Sequence, residues 1–122
     1  MGNDKAALNH SRMRMGLSAL NAQRHSYNFI PSGICHKCNA KSEDTVHYFL
    51  VCPSYTAQRT QLLQDLLLAM PEIFVPLVNY STSKALTEEL ISILMFGTNN
   101  EPKDKIVFTF VQNYIQQSKR FD

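Results

Sequence analysis

The sequence lacks any hydrophobic run close to the roughly 20 residues that a helix needs to cross a bilayer. Its first thirty residues are polar and arginine-bearing, without the apolar core of a secretory signal. Internal repeats and low-complexity tracts are absent as well. For a chain of 122 residues, these absences favour a single intracellular domain, in the cytoplasm or the nucleus, with no membrane association.

Cysteine is also scarce, and its placement is informative. The chain has three cysteines, Cys35, Cys38 and Cys52, and this odd, clustered count fits poorly with a disulfide framework. With His47 they form the spacing Cys35-x2-Cys38-x8-His47-x4-Cys52, in which one tight turn carries two thiolates. The spacing predicts one Zn2+ bound tetrahedrally by these four residues. Four protein ligands leave no open position for water or substrate, so we expect a structural site and no enzyme.

An alternative interpretation is that the cysteines are three buried thiols and that the histidine is unrelated, since free cysteine packs like a small hydrophobe. The residues between the ligands favour the metal site, because His36 and Lys37 are polar and residues 39–44 form a polar loop. His36 is a nearby rival ligand, but its place beside Cys35 should point it away from the metal. We expect it to be solvated or to contact a phosphate.

The second half of the motif predicts a short apolar helix over residues 45–51, with Asp44 as its N-cap. Five residues separate His47 from Cys52, which is about 140° of rotation on an ideal α-helix. We therefore expect Cys52 just beyond the helix end, where Pro53 resets the backbone.

Charge is unevenly distributed along the chain. Residues 1–61 have seven Lys and Arg against three Asp and Glu, a net charge of +4, whereas residues 62–122 have a net charge of −2. A zinc ion bound by three thiolates and a neutral imidazole has a net charge of −1, so attraction to phosphate must come from the surrounding cations. The predicted nucleic-acid-binding residues are Arg12, Arg14, Arg24, Tyr27, Lys37 and Lys41, with Phe29 as a further aromatic.

The aromatic residues before the motif have a second interpretation. Tyr27, Phe29 and Ile30 could lie beneath the zinc turn as an apolar floor, because a small metal site needs a dry wall on one side. In the first interpretation the two aromatics stack on bases, and in the second they are buried.

Outside the motif, apolar residues recur at helical spacing. In the N-terminal half we predict a helix over 4–15 that Gly16 ends and a short helix from Ser18 to about His25. A long helix begins at Pro53 and ends at Pro71, and another runs through Leu86 and Leu94 to Gly97. Asn100 caps the last predicted helix, which has Lys119 and Arg120 in its final turn. Residues 71–76 are expected to be a connection.

The predicted fold is mainly α, with a small zinc knuckle (a short turn or hairpin plus a helix) packed on a helical bundle. Within one domain over 1–122 we expect a basic helical arm over 1–30, the zinc knuckle over 31–56 and the bundle over 54–122. The bundle core should be separate from the metal. Its apolar stripes predict an ordinary core, with a docking face for a partner as the alternative.

Several motifs of the chain occur together in one known family. They are the run over residues 11–21, Cys35-x2-Cys38, Asp44-Thr45-x-His47, Cys52-Pro53-x-Tyr55 with Arg59, and the tail over residues 114–121. In this combination, which covers nearly the whole chain, the sequence resembles the cysteine-rich C-terminal segment of non-LTR retrotransposon reverse transcriptases. That segment lies downstream of the polymerase and is thought to hold template RNA or target DNA during priming of reverse transcription.

The resemblance implies that the four residues of the motif bind zinc and that the basic stretch ahead of them faces nucleic acid. No polymerase or endonuclease motif is present, so we expect a fragment of such a polyprotein, or a small reading frame derived from one, without either activity. The gap before His47 is longer than in the short knuckles of retroviral nucleocapsids, so their base-reading geometry is not expected.

Two functional hypotheses follow from these patterns. The first is a zinc-dependent nucleic-acid-binding module that binds single-stranded RNA or DNA with little sequence specificity. The second is a structural, zinc-stabilised module in which an exposed helical face docks a protein partner. A Cys/His hydrolase is disfavoured, because the candidate catalytic residues are better explained as metal ligands.

Overall fold

The computed structural model describes residues 4–122, and all regular secondary structure in this part of the chain is helical, with no strand. The predicted mainly α fold is therefore confirmed. The helices are α1 (Asp4–Arg14), α2 (Asn21–Ser26), α3 (Thr56–Ala69), α4 (Pro71–Phe74), α5 (Lys84–Phe96) and α6 (Glu101–Ser118). Shorter helical turns cover His47–Val51, Pro53–Tyr55, Val75–Leu77 and Tyr80–Thr82.

Local capping signals place several helix ends. Gly16 follows α1 with φ of 71° and Gly97 follows α5 with φ of 81°, values that glycine adopts without strain. The Asn100 side chain accepts the backbone N–H of Lys103 at 3.1 Å, which caps α6 at its start. These three predicted ends are confirmed.

Three other boundaries were predicted wrongly. The second helix starts at Asn21, because the Ser18 hydroxyl accepts the Leu20 N–H and so closes a local turn ahead of the helix. Residues 71–76 form α4 and a further helical turn, since proline is favoured at a first helical position. The last helix ends at Ser118, and Lys119 adopts a left-handed conformation with φ of 58°.

Helix α6 lies at the centre of the bundle, where it contacts α1, α3 and α5. Its buried face presents Val107, Val111, Tyr114 and Ile115. Helix α1 belongs to the same packing, because its buried residues include Ala6 and Met13. The predicted N-terminal arm is thus partly built into the bundle through α1.

A buried histidine joins three of these helices. The His10 Nε2 lies 2.8 Å from the Leu94 carbonyl oxygen of α5, and Nδ1 lies 3.3 Å from Gln112 Nε2 of α6. A neutral ring that donates from Nε2 and accepts at Nδ1 satisfies both contacts. The Arg14 guanidinium, 3.4 Å from Nδ1, completes the network on α1.

The core of the bundle continues into the segment between His47 and Cys52. The Tyr48 and Phe49 rings, between His47 and Cys52, have centroids 5.2 and 5.1 Å from that of Tyr114 on α6. The prediction of a bundle core separate from the metal is therefore wrong. One aromatic cluster serves both regions, because the segment between the last two ligands carries consecutive aromatic residues.

Within residues 4–122, no single helix has the length and apolar composition of a membrane span, although the bent pair Pro53–Ala69 and Pro71–Thr82 passes that test when taken together.

Candidate metal centre

Four candidate ligand atoms lie within 4.8 Å of one another and could hold a metal ion, one each from Cys35, Cys38, His47 and Cys52. The Cys35 and Cys52 sulfurs are 3.9 Å apart, and the Cys38 sulfur is 3.2 Å from the His47 Nε2. Neighbouring ligands of a tetrahedral ion with bonds of about 2.0–2.3 Å are roughly 3.3–3.8 Å apart. The observed separations are close to that range, and the three cysteines are free.

The first two ligands sit on a hydrogen-bonded turn. The Cys35 N–H donates to the Ala40 carbonyl at 3.0 Å, and the Asn39 N–H donates back to the Cys35 carbonyl at 2.7 Å. Asn39 has φ of 64°, a left-handed conformation that asparagine tolerates better than most residues. The turn therefore holds the sulfurs of Cys35 and Cys38 together through backbone geometry.

The last two ligands are brought together by a π turn. Thr45 and Val46 begin the segment as ordinary helix, and the Asp44 carboxylate accepts the His47 N–H at 2.8 Å as predicted for an N-cap. From His47 the helix widens, and the Cys52 N–H donates to the His47 carbonyl at 2.8 Å. The rotation expected between His47 and Cys52 on an ideal α-helix therefore does not apply. This i to i+5 bond places Cys52 on the same side of the turn as His47.

The π turn leaves carbonyl groups that no following helical turn can satisfy, and side chains from elsewhere donate to them. Arg59 on α3 donates to the carbonyls of Phe49 at 2.8 Å and of Cys52 at 2.6 Å. The Tyr114 hydroxyl donates to the Tyr48 carbonyl at 2.5 Å. The distorted turn is thus stabilised by the bundle rather than by its own sequence.

The electrostatic environment of the cluster suits a cation. Burial raises the pKa of Cys35 to about 11, whereas hydrogen bonds from the Lys37 and Cys38 N–H groups act in the opposite direction. A bound cation would stabilise the thiolate that burial alone disfavours.

Tyr55 is a second buried group whose pKa is raised. Its hydroxyl is the one orphaned polar atom among the buried side chains of residues 4–122. Burial raises the pKa of Tyr55 to about 12, and the negative charges of Cys52 and Cys35 add to this effect. The hydroxyl therefore stays protonated, and the thiolates of a metal-loaded cluster would place negative charge near this donor.

A buried ion pair connects the loop between Cys38 and His47 to the C-terminal residues and to the start of α2. Glu43, only 1% exposed, accepts two hydrogen bonds from Arg120, at 2.7 and 2.6 Å, and one from the Asn21 N–H at 2.8 Å. Burial alone would raise the pKa of Glu43, but these donors outweigh it and hold the pKa below its ordinary value. Arg120 also donates to the Ala19 carbonyl at 3.0 Å.

Sequence reasoning missed this pair and the role of Arg59. Arg120 was assigned to the last turn of a helix, where cations suit the dipole, and Glu43 to a polar loop. Glu43 lies between Lys41 and Asp44 in a polar loop, and nothing in that stretch identifies a partner 77 residues away. Arg59 lies on α3 and is only 8% exposed, and burial of an arginine indicates hydrogen-bond partners.

The predicted nucleic-acid-binding residues are distributed over several surfaces. Arg12, Arg24, Lys37 and Lys41 are exposed, and Arg24 and Lys37 line one shared cavity. Arg14 instead lies over the Phe108 ring, 4.4 Å from its centroid, and donates to the Met95 carbonyl inside the bundle. The structure therefore brings two of the predicted cations together and gives Arg14 intramolecular partners.

The aromatic residues before the motif are exposed. Tyr27 and Phe29 are 50% and 73% exposed, and their rings stack on each other with centroids 6.2 Å apart. The apolar floor beneath the zinc turn is therefore wrong for these two residues, because Tyr48 and Phe49 supply the buried aromatic surface instead. His36 is exposed and outside the ligand cluster, as expected.

These features define a helical protein with a buried cluster of three cysteines and one histidine that could hold a metal ion. Comparisons of the chain with family models, curated proteins and solved structures found no match in any of the three.

Proposed function

We propose that the chain is a zinc-dependent nucleic-acid-binding module that acts by binding rather than by catalysis. The ligand set supports zinc, since sulfur and imidazole donors in a compact four-ligand group are typical of structural zinc sites. With all four positions taken by protein, such an ion would stabilise the fold and leave no place for a substrate.

The observation that carries the binding proposal is the surface next to the cluster. Tyr27 and Phe29 are exposed, and their rings stack on each other. Arg24 lies three residues before Tyr27, and Lys37 lies between the first two ligands. Aromatic faces that stack on bases, next to cations that pair with phosphates, are the recurring elements of single-strand binding.

The family resemblance supports the same proposal. We propose that the chain corresponds to the C-terminal cysteine-rich segment of a non-LTR retrotransposon reverse transcriptase. Arg59 and the Ser-Lys-Arg-Phe tail, which contribute to that resemblance, have structural roles here. Arg59 stabilises the π turn, and Arg120 neutralises Glu43. The residues that the chain shares with this family would then stabilise the fold as well as bind the metal.

A salt titration tests the function. Zinc-loaded protein is titrated into labelled oligouridine and oligothymidine, and affinity is measured between about 50 and 200 mM salt. If about four phosphates are neutralised, the log–log slope should be near −3 for single strands. Removing zinc with a chelator should abolish the binding. No binding at the lower salt concentration would contradict the proposal.

A second function has one specific observation in its favour. The cavity between α3, α4 and α5 is apolar and has a volume of about 200 Å3, with Leu66, Phe74 and Leu77 among its lining residues. Leu68 on α3 and Val75 in the helical turn after α4 are exposed, Leu68 by 85%. This apolar face suits the binding of a protein partner. If the protein binds no nucleic acid, protein binding is the function that we favour.

A further inference from the structure

A cationic cavity lies where three parts of the chain meet. It has a volume of about 420 Å3 and is lined by α2, by the loop that carries the first two cysteines, and by the chain after α6. Arg24, Lys37 and Lys119 come from these three parts in turn. Lys119 is far in sequence from the basic N-terminal half of the chain, but the fold places it beside residues of that half.

The charge balance of this cavity favours an anion. Four lining residues are Arg or Lys, and Glu43 is the single carboxylate. Arg120 neutralises Glu43 through two hydrogen bonds, so the remaining three cations have no carboxylate of the cavity to pair with. Arg24, Lys37 and Lys119 are all exposed, which leaves their charged ends accessible to a ligand.

The floor of the cavity is rigid and polar. Asn21 and Glu43 are buried beneath it, and the Asn21 side chain donates to the Ile34 carbonyl at 2.7 Å. Backbone bonds join the two sides, since Ala22 donates to the Glu43 carbonyl and Glu43 donates to the Gly33 carbonyl. A preformed recess of this kind lowers the ordering cost of binding.

An aromatic surface adjoins the cavity along the chain. The loop with Tyr27 and Phe29 continues directly into Ile30 and Pro31 of the cavity wall. The Phe29 N–H donates to the Arg24 carbonyl at 3.0 Å, which fixes this loop against the end of α2. A phosphate in the cavity would therefore lie close to a surface on which bases can stack.

We propose that this cavity binds a backbone phosphate of a single-stranded nucleic acid, with Arg24, Lys37 and Lys119 as its cationic contacts and Tyr27 and Phe29 as the base-stacking surface. The inference rests on the proposed function and assigns it a location. A flexible strand can place one phosphate in a recess and unstack its neighbouring bases, whereas the paired bases of a duplex are unavailable for stacking.

Paired charge-removing variants test the location. The double variant Arg24→Gln/Lys119→Gln removes two cavity cations, and Lys84→Gln/Lys105→Gln removes two lysines at exposed ion pairs outside the cavity. Binding to oligouridine and oligothymidine of about twenty nucleotides is measured by fluorescence anisotropy at two salt concentrations. The cavity variant should bind about tenfold more weakly, with a slope shallower by about 1.4, and the control should change little.

The stacking surface is tested with Tyr27→Ala and Phe29→Ala, which should each weaken binding by about five- to tenfold without changing the salt slope. Zinc content and thermal unfolding are measured for every variant, so that loss of fold is distinguished from loss of a contact. The same oligonucleotides in duplex form should bind more weakly than the single strands.

The outcomes separate this inference from the proposed function. If the unmodified protein binds single strands and the cavity variant binds equally well, the location is wrong and the function stands. Equal weakening by the cavity and control variants would also overturn the location, as would tighter binding of the duplex. If the unmodified protein binds no nucleic acid at low salt, the proposed function itself fails.

Discussion

The segment that carries the Cys/His cluster, residues 33–59, and the bundle of α1, α5 and α6 are both buried, but by different means. The bundle uses long helices whose apolar faces meet, with one polar network around His10. Up to residue 55 the segment consists of turns and a distorted helix too short to be stable alone, and it ends in the first residues of α3. It depends on the four-residue cluster, on Arg59 and on the Glu43–Arg120 ion pair.

This difference shows what replaces regular secondary structure in a short segment. A long helix satisfies its backbone groups internally, so its side chains can be apolar. The π turn over His47–Val51 leaves carbonyls that must accept bonds from Arg59 and Tyr114. The segment should therefore be sensitive to the loss of single polar groups, and the bundle to changes that disturb several helices together.

The largest expected effect is loss of the metal from the segment. Cys38→Ser, or chelation, should remove a contribution on the order of 10–16 kcal/mol at neutral pH, the range for structural zinc in small peptides. Hydrogen exchange should rise over residues 33–59, and also around Tyr114, because Tyr48 and Phe49 pack on it. Native mass spectrometry should find one zinc per chain, and His36→Ala should retain it.

Absence of zinc from the unmodified protein, or unchanged exchange after chelation, would contradict the metal assignment. Loss confined to residues 33–59, with Tyr114 still protected, would instead show that the two regions are stabilised independently despite their shared aromatic core.

The second effect concerns the ion pair. Arg120→Gln leaves Glu43 buried without its charged partner and should lower the free energy of unfolding by about 3–5 kcal/mol. Lys119→Gln is the matched control, because its side chain is exposed, and it should change stability by less than about 0.5 kcal/mol. Urea unfolding of the zinc-loaded proteins measures both.

The pH dependence of this pair sharpens the test. The pKa of Glu43 is lowered in the folded protein, so its contribution is present above the pKa of the unfolded chain and is lost as pH falls through the folded value. The Arg120→Gln protein should lack much of this acid dependence. An equal dependence in both proteins would mean that Arg120 does not control the ionisation of Glu43.

A smaller effect is expected in the bundle. Burial lowers the pKa of His10 to about 4, and the Arg14 charge adds to this effect, whereas the Leu94 carbonyl opposes it. Between that value and the unfolded pKa near 6.5, only the unfolded chain binds the proton, so stability falls as pH decreases. The loss between pH 7 and pH 5 should be about 2 kcal/mol.

Because acid also weakens metal binding, the His10 contribution is measured as a difference. The pH dependence of urea unfolding is compared among the unmodified protein, His10→Gln and the exposed control His25→Gln. His10→Gln should reduce the dependence and His25→Gln should not. The same pH dependence in all three proteins would show that the His10 ring is not the group responsible.

Local signals in the sequence predicted the parts of the structure that depend on near neighbours. The cysteine and histidine spacing identified four residues that do lie together. Asp44 and Asn100 were identified as N-caps and Gly97 as a helix end, because each signal acts within one helical turn. The helical class followed from the period of the apolar residues.

The parts that sequence reasoning missed depend on groups far apart in the chain. The His47–Cys52 spacing is compatible with several backbone paths, and donors from α3 and α6 stabilise the π turn. Exposure of Tyr27 and Phe29 follows from Tyr48 and Phe49 filling the interior. Neither outcome has a local signal in the sequence. Each depends on how elements that are distant in the chain pack against the segment.

By itself the sequence determined the helical class, the members of the metal cluster and the basic character of the N-terminal half. Tertiary structure alone decided that Glu43 meets Arg120, that Arg14 turns into the bundle, and that Lys119 joins Arg24 and Lys37 at one cavity. The reason is physical: capping and ligand spacing act over a few residues, whereas the position of a charge depends on how the helices pack.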